Sequence, residues 1–190
     1  MKFGVIAYKD HQLNENAYLT RIQPLTDEAK AIEFIAGLTS DGGGDICEAV
    51  LDGLHQAVTH AEWRSDSTKF IFHIADAPPH GKQYAVPHLE DDYPEGCPCG
   101  IKLEDIAKVM NEKKIRYRLL DIVLDPRKFN EKYRKAIEAS NQGMKKMISV
   151  FSHYFGNLEN KQLREAHEVT SAVTQFIVTD IAKIETSPLI

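Results

Sequence analysis

One short segment constrains this chain more than any other. Residues 69–75 (KFIFHIA) form a continuous apolar run that halts at Asp76-Ala-Pro-Pro-His-Gly. The run is too short for a buried helix and rich in β-formers, and two prolines forbid its continuation. It reads as a strand covered on both faces, as strands of parallel sheets are. Residues 3–8 (FGVIAY) have the same character, whereas residues 18–25 (YLTRIQPL) alternate apolar and polar side chains and carry Pro24, as an edge strand can.

Helical patterns fall between these runs. Thr26 is placed to cap a helix opening Asp-Glu-Ala, with Ile32, Ile35 and Leu38 at helical spacing. Residues 41–45 (Asp-Gly-Gly-Gly-Asp) cannot be regular structure, and residues 46–60 carry Ile46, Val50, Leu54, Ala57 and Val58 on one helical face. Residues 81–100 are polar and proline-rich, without a hydrophobic period, and predict a surface loop over the strand ends. Beyond them the pattern predicts a helix over 103–112, a strand over 115–124 stopped by Asp125-Pro126, a helix over 129–139, a last strand over 147–154 (MISVFSHY) and a closing helix over 160–184. Strands alternating with helices imply a single α/β domain over 1–190 with a mostly parallel sheet. Ligands of such sheets bind in loops beyond the carboxyl ends of the strands. Asp45 and Asp76 occupy two loops of that kind.

Bulk properties remove several function classes. A formal net charge of −5 argues against a nucleic-acid backbone as partner, which needs a basic face. The basic residues of 108–118 and 128–146 alternate with acids and apolar residues, as solvated helix faces do. No apolar stretch approaches the ~18 residues needed to span a bilayer, and MKFGVIAY followed by Asp10 is not a signal peptide. Three cysteines give no disulfide framework, so a reducing, cytoplasmic setting is expected.

Individual residues are weighed against plainer roles. Asp45 would cap the following helix whether or not it held a cation. The glycine run lacks the Gly-Lys-Ser/Thr ending of a phosphate loop, and Asp45 in that place would repel phosphate. Cys97-Pro-Cys99, with His80, His88 and Cys47, supplies zinc-ligand types, yet the Cys-x-Cys gap is shorter than usual and no second pair exists; zinc is disfavoured on spacing. His73 inside an apolar run reads as a satisfied core histidine. Asp10 and His11 end the first strand near the rim of Asp76. No nucleophile–base set and no Gly-x-Ser-x-Gly elbow is visible, so no catalytic residue is assigned.

The motifs FGVIAYKDH (residues 3–11), SDGGGDICEAVLDGLHQAV (40–58), FIFHIADAPPHG (70–81) and EGCPCG (95–100) together resemble the von Willebrand factor A-type (vWA) family, in the subgroup found beside alpha-type protein kinases. The resemblance runs over nearly the whole chain. It implies a doubly wound, mostly parallel sheet with helices on both faces and a metal ion-dependent adhesion site on three loops. Asp45 stands where the second loop's ligand belongs and Asp76 where the third's belongs. FGVIAYKDH resembles the family's second strand, so the domain is expected to lack its first central strand, first helix and Asp-x-Ser-x-Ser metal loop. The expected activity is non-enzymatic: protein binding in a signalling setting, through a cation bridged to an acidic side chain of the partner. Mg²⁺, which keeps its waters and needs few protein ligands, is the cation such a pair would take, held weakly or lost. The alternatives are a small metal- or cysteine-dependent hydrolase using Asp45, Asp76, His80 and Cys97, or a structural remnant with no metal site. The oligomeric state has no signature.

Overall fold

The computed structural model describes residues 1–11, 18–39, 44–156, 158–165 and 167–185, the last five by backbone alone. The dominant apolar run is strand β3 (Lys69–Ala75). It pairs in parallel with β4 (Ile115–Ile122), from Lys69 opposite Ile115 to Ala75 opposite Asp121. β4 pairs in parallel with β5 (Glu159–Leu163). A separate antiparallel ribbon joins β1 (Phe3–Tyr8) to β2 (Thr20–Thr26). Between them in the chain come α1 (Glu28–Ala36), α2 (Val50–His60), α3 (Leu103–Glu112), α4 (Glu131–Tyr154) and α5 (Glu168–Glu185).

The two-residue alternation of β4 divides the core. Ile115, Tyr117 and Leu119 face a cluster built from Val50, Leu54 and Val58 of α2, Ile106 and Met110 of α3, and Met144, Met147 and Phe151 of α4. Leu120 points the other way, onto Leu163 of β5 and onto Ala172 and Phe176 of α5, with Phe72 alongside. The parallel sheet is thus covered by helices on both faces. Arg118, on the α5 side, is buried and clamps Asp180 through Nε (3.1 Å) and Nη2 (2.6 Å to Oδ2).

Several expectations are corrected. Residues 147–154 are not a strand but the end of α4, because Ala139, Gly143, Met144, Met147 and Phe151 are buried at intervals of the helical period. The last strand is instead the polar β5, inside the segment expected to be helical, and the closing helix starts at Glu168. The helix cap is Asp27, whose side chain accepts from Lys30 N at 3.0 Å; Thr26 ends β2. Ile32 and Ile35 of α1 are exposed, leaving Ala31 as that helix's buried residue. α2 begins at Val50, because Glu48 makes a parallel bridge to Pro79 instead of a helical turn. Neither β1 nor β3 is buried on both faces: β1 lies in a two-stranded ribbon, and Ile74 of β3 is exposed. The segment 40–43, read as a turn, lies outside the described residues.

Among the described residues no ladder joins the ribbon to the parallel sheet. Side chains join them instead. Tyr8 Oη lies 2.6 Å from His73 Nε2, and His73 Nδ1 lies 2.6 Å from Tyr117 Oη. Burial holds His73 down at about 4, so the ring is neutral and satisfied, as expected of a core histidine. Tyr8 in turn packs on Gly53 of α2, where an added Cβ would sit 2.5 Å from Tyr8 Cδ1. The ring is pinned at its hydroxyl and cannot retreat. Gly53→Ala is therefore expected to destabilise the chain by about 1–3 kcal/mol in urea denaturation, as overpacking does. A loss below a few tenths of a kcal/mol would show that Tyr8 is not held.

Candidate functional site

Three loops meet where β1 and β3 end. The strand-ending prolines leave carbonyls without competing donors of their own, and the segment before α2 binds to them. Glu48 N donates to Pro78 O at 3.0 Å, Ala49 N to Lys9 O at 3.3 Å and Asp45 N to Asp10 Oδ2 at 3.3 Å. This stitching gathers Asp10, Asp45, Glu48 and Asp76 around one rim. Both sequence-predicted residues, Asp45 and Asp76, act electrostatically on Glu48, as Asp10 does, so their carboxylates lie within electrostatic range of it.

The side chains are in different states. Asp76 is exposed, and its carbonyl accepts from Ser140 Oγ at 2.6 Å. Asp45 accepts from Cys47 N at 2.7 Å and also from Asp92 N; burial, reinforced by the Asp10 carboxylate, holds it above the ordinary carboxylate range. Asp10 is buried, with Oδ1 3.2 Å from His80 Nε2. That approach has ion-pair length but not hydrogen-bond alignment, which leaves His80 Nε2 a buried nitrogen without a hydrogen-bond partner. The other ring nitrogen, Nδ1, lies 2.9 Å from Asp91 Oδ1.

The segment 81–100 lies over this rim, as its composition predicted. Its longest regular piece is a single 3₁₀ turn, Lys82–Tyr84, anchored by fully buried Tyr84. Asp91 accepts from Gly81 N (2.8 Å) and Tyr93 N (2.9 Å), and the Tyr93 ring stands edge-on to His80 at 5.0 Å. The same segment delivers Cys97 to a second cluster behind the rim. Cys97 Sγ donates to Asp52 Oδ2 at 3.1 Å and lies 3.8 Å from His11 Nε2, which is itself 3.1 Å from Asp52 Oδ2. Burial first, then the Asp52 carboxylate, pushes the Cys97 thiol up to about 12; burial likewise pushes up Cys47. Of the other sequence-flagged residues, His88 is exposed and takes no part in either cluster.

Glu48, Asp52 and Asp91 were not singled out by sequence. The signal for Glu48 is the acid three residues after Asp45, but it lies within residues 46–60, which read as helix. Asp52 and Asp91 join their partners only through the fold.

No family model matches the chain. It is similar to an alpha-protein kinase, vwkA, of Dictyostelium discoideum, with 29% identity over 184 residues. The match covers 95% of this chain and 28% of that relative, so the chain spans little more than a quarter of the protein it resembles.

The rim makes one pH prediction. Burial, then the carboxylates of Asp10, Asp76 and Asp45, push Glu48 from 4.5 up to about 7. A carboxyl whose value is raised on folding contributes its full stability below the unfolded value and loses it as pH rises through the folded one. Glu48→Gln is therefore expected to be about 1 kcal/mol more stable than the unmodified chain at about pH 8, after solvent screening, and equal to it at about pH 4. Urea denaturation across that range checks this. A difference constant with pH would show that Glu48 does not titrate there.

Proposed function

We propose that this chain is a non-enzymatic protein-binding module of the vWA type, with a doubly wound sheet and a weak or residual metal ion-dependent adhesion site. The observation that supports the reading is the hydrogen bond from Asp45 N to Asp10 together with the electrostatic reach of Asp10, Asp76 and Asp45 onto Glu48 at the strand-end loops. Like charges gathered on a rim favour a cation. Without one, the rim would repel the acidic side chain proposed for the partner, so a cation must stand between them. Mg²⁺ suits oxygen ligands and keeps its waters. It must compete here with the backbone amides on Asp45 and with His80 beside Asp10, which is why weak binding is proposed.

The raised thiols of Cys47 and Cys97 disfavour a cysteine hydrolase, since the thiolate is the nucleophile. Among the described residues no helix is long and apolar enough to cross a membrane. The three free cysteines suit a reducing cytoplasmic setting, and the similarity to an alpha-protein kinase supports placing the module in signalling.

Calorimetric titration with Mg²⁺ and Mn²⁺ tests the reading, alongside binding of a glutamate-rich peptide. Expected are Mg²⁺ affinity of about millimolar or weaker and peptide capture that needs Mn²⁺, both lost in Asp45→Ala and Asp76→Ala. Micromolar Mg²⁺ binding abolished by both variants would mean the two acids form a full site. Cation binding indifferent to both would remove the rim as the site.

A further inference from the structure

The geometry points to a structural zinc site, separate from the acidic rim, formed by His11, Asp52, Cys97 and Cys99. One donor atom from each of these residues lies within 4.8 Å of the other three. The separations of His11 Nε2, Asp52 Oδ2 and Cys97 Sγ from one another are 3.1, 3.1 and 3.8 Å. Ligands at zinc bond lengths of about 2.0–2.3 Å in a tetrahedron stand about 3.3–3.8 Å apart. The atoms therefore need to move by only a few tenths of an ångström for these three contacts, and the Cys99 sulfur, within 4.8 Å of all three, is near enough to take the fourth corner.

The donor set is a zinc set by chemistry: two sulfurs, one imidazole and one carboxylate. It is also poorly explained as a hydrogen-bond cluster. Asp52 is a buried carboxylate in the first turn of α2, and its side-chain neighbours are the two thiols and His11. A thiol is a weak donor, so of these neighbours only His11, at 3.1 Å, is a strong partner for a buried carboxylate, and the two sulfurs add little as hydrogen-bond donors. The local backbone serves the same end. Gly96 and Gly100 bracket Cys97-Pro98-Cys99 with φ of +112° and +73°, a region that other residues enter at a cost, and the turn between them brings both sulfurs toward Asp52. The set differs from the ligand types weighed in the sequence, where spacing disfavoured zinc, because His11 and Asp52 take the places of His80, His88 and Cys47. A short Cys-x-Cys gap is no obstacle when the other two ligands arrive from the end of β1 and from α2.

Four protein ligands leave no open position for water or substrate, so the site is structural. Binding releases the two thiol protons to solvent and leaves two thiolates, one carboxylate and one neutral imidazole around the dication, with no redox change. The metal would fasten the 81–100 segment to β1 and α2, and with it the His80–Asp91 contacts over the rim.

Metal content of the purified chain and Co²⁺ substitution test this. Expected are one zinc per chain, and one Co²⁺ giving the intense visible bands of tetrahedral cobalt with near-ultraviolet thiolate charge transfer. Cys97→Ser and Cys99→Ser should each lower affinity at least tenfold and diminish the charge-transfer band, while Cys47→Ala keeps both. A second measurement needs no variant: saturating Zn²⁺ should protect Cys97 and Cys99 of the unmodified chain from alkylation, read by peptide mass, and a chelator should restore it. Absence of stoichiometric uptake, uptake lost in Cys47→Ala but kept in Cys97→Ser, or alkylation of Cys99 unchanged by zinc would each overturn the proposal. Mg²⁺ titration does not read this site, so failure here is distinguishable from failure of the rim.

Discussion

The arrangement of this protein depends on a hydrogen-bonded line of three side chains, Tyr8, His73 and Tyr117. The β1–β2 ribbon and the β3–β4–β5 sheet share no ladder among the described residues, so backbone pairing does not set the distance between them. The imidazole does. A neutral histidine has one donor and one acceptor nitrogen, so one tyrosine gives a proton to the line and the other receives one. Burial keeps all three groups uncharged at neutral pH by raising both phenols and lowering the ring. The line also fixes where β1 stops, and therefore where Asp10 and His11 are delivered.

At the delivery point the electrostatics are one-sided. Of the four acids, Asp10 and Asp45 are answered by backbone amides and by His80, not by lysine or arginine in the contacts described. Such a rim is stable only because its charge is shared among short, fixed dipoles, and partly because Glu48 holds its proton into the neutral range. The loop that covers the rim contributes to both clusters: Asp91 and Asp92 to the rim, and Cys97 to the group behind it.

Strands and helices whose burial is local were legible in the sequence. β3 announces itself by continuous hydrophobicity and a double-proline stop, and α3 and β4 by their periods and the Asp125-Pro126 break. Residues 147–154 misled because MISVFSHY is rich in β-formers, while its burial period belongs to a long helix begun sixteen residues earlier at Glu131. β5 (ENKQL) is nearly all polar and, among the described residues, pairs only with β4, so nothing in its own composition marks a strand. Asp45 and Asp76 were legible because a glycine run and a strand end are punctuation. The His11–Asp52–Cys97 group was not, since its members lie up to 86 residues apart and meet only when the 81–100 segment folds back.

The Arg118–Asp180 clamp gives α5 a single seat. The helix has a mixed surface, and Ala172 and Phe176 alone would tolerate a slide along the sheet. A shift by one turn would carry Asp180 away from the guanidinium and lift Phe176, whose ring lies 5.9 Å from Arg118 Cζ, off its face, losing two-point contact at a buried charge, a change of the kind that costs about 3–5 kcal/mol. The pair thus acts as a key that rejects neighbouring registers, and the outer face of the sheet is sealed in one alignment rather than several of similar energy.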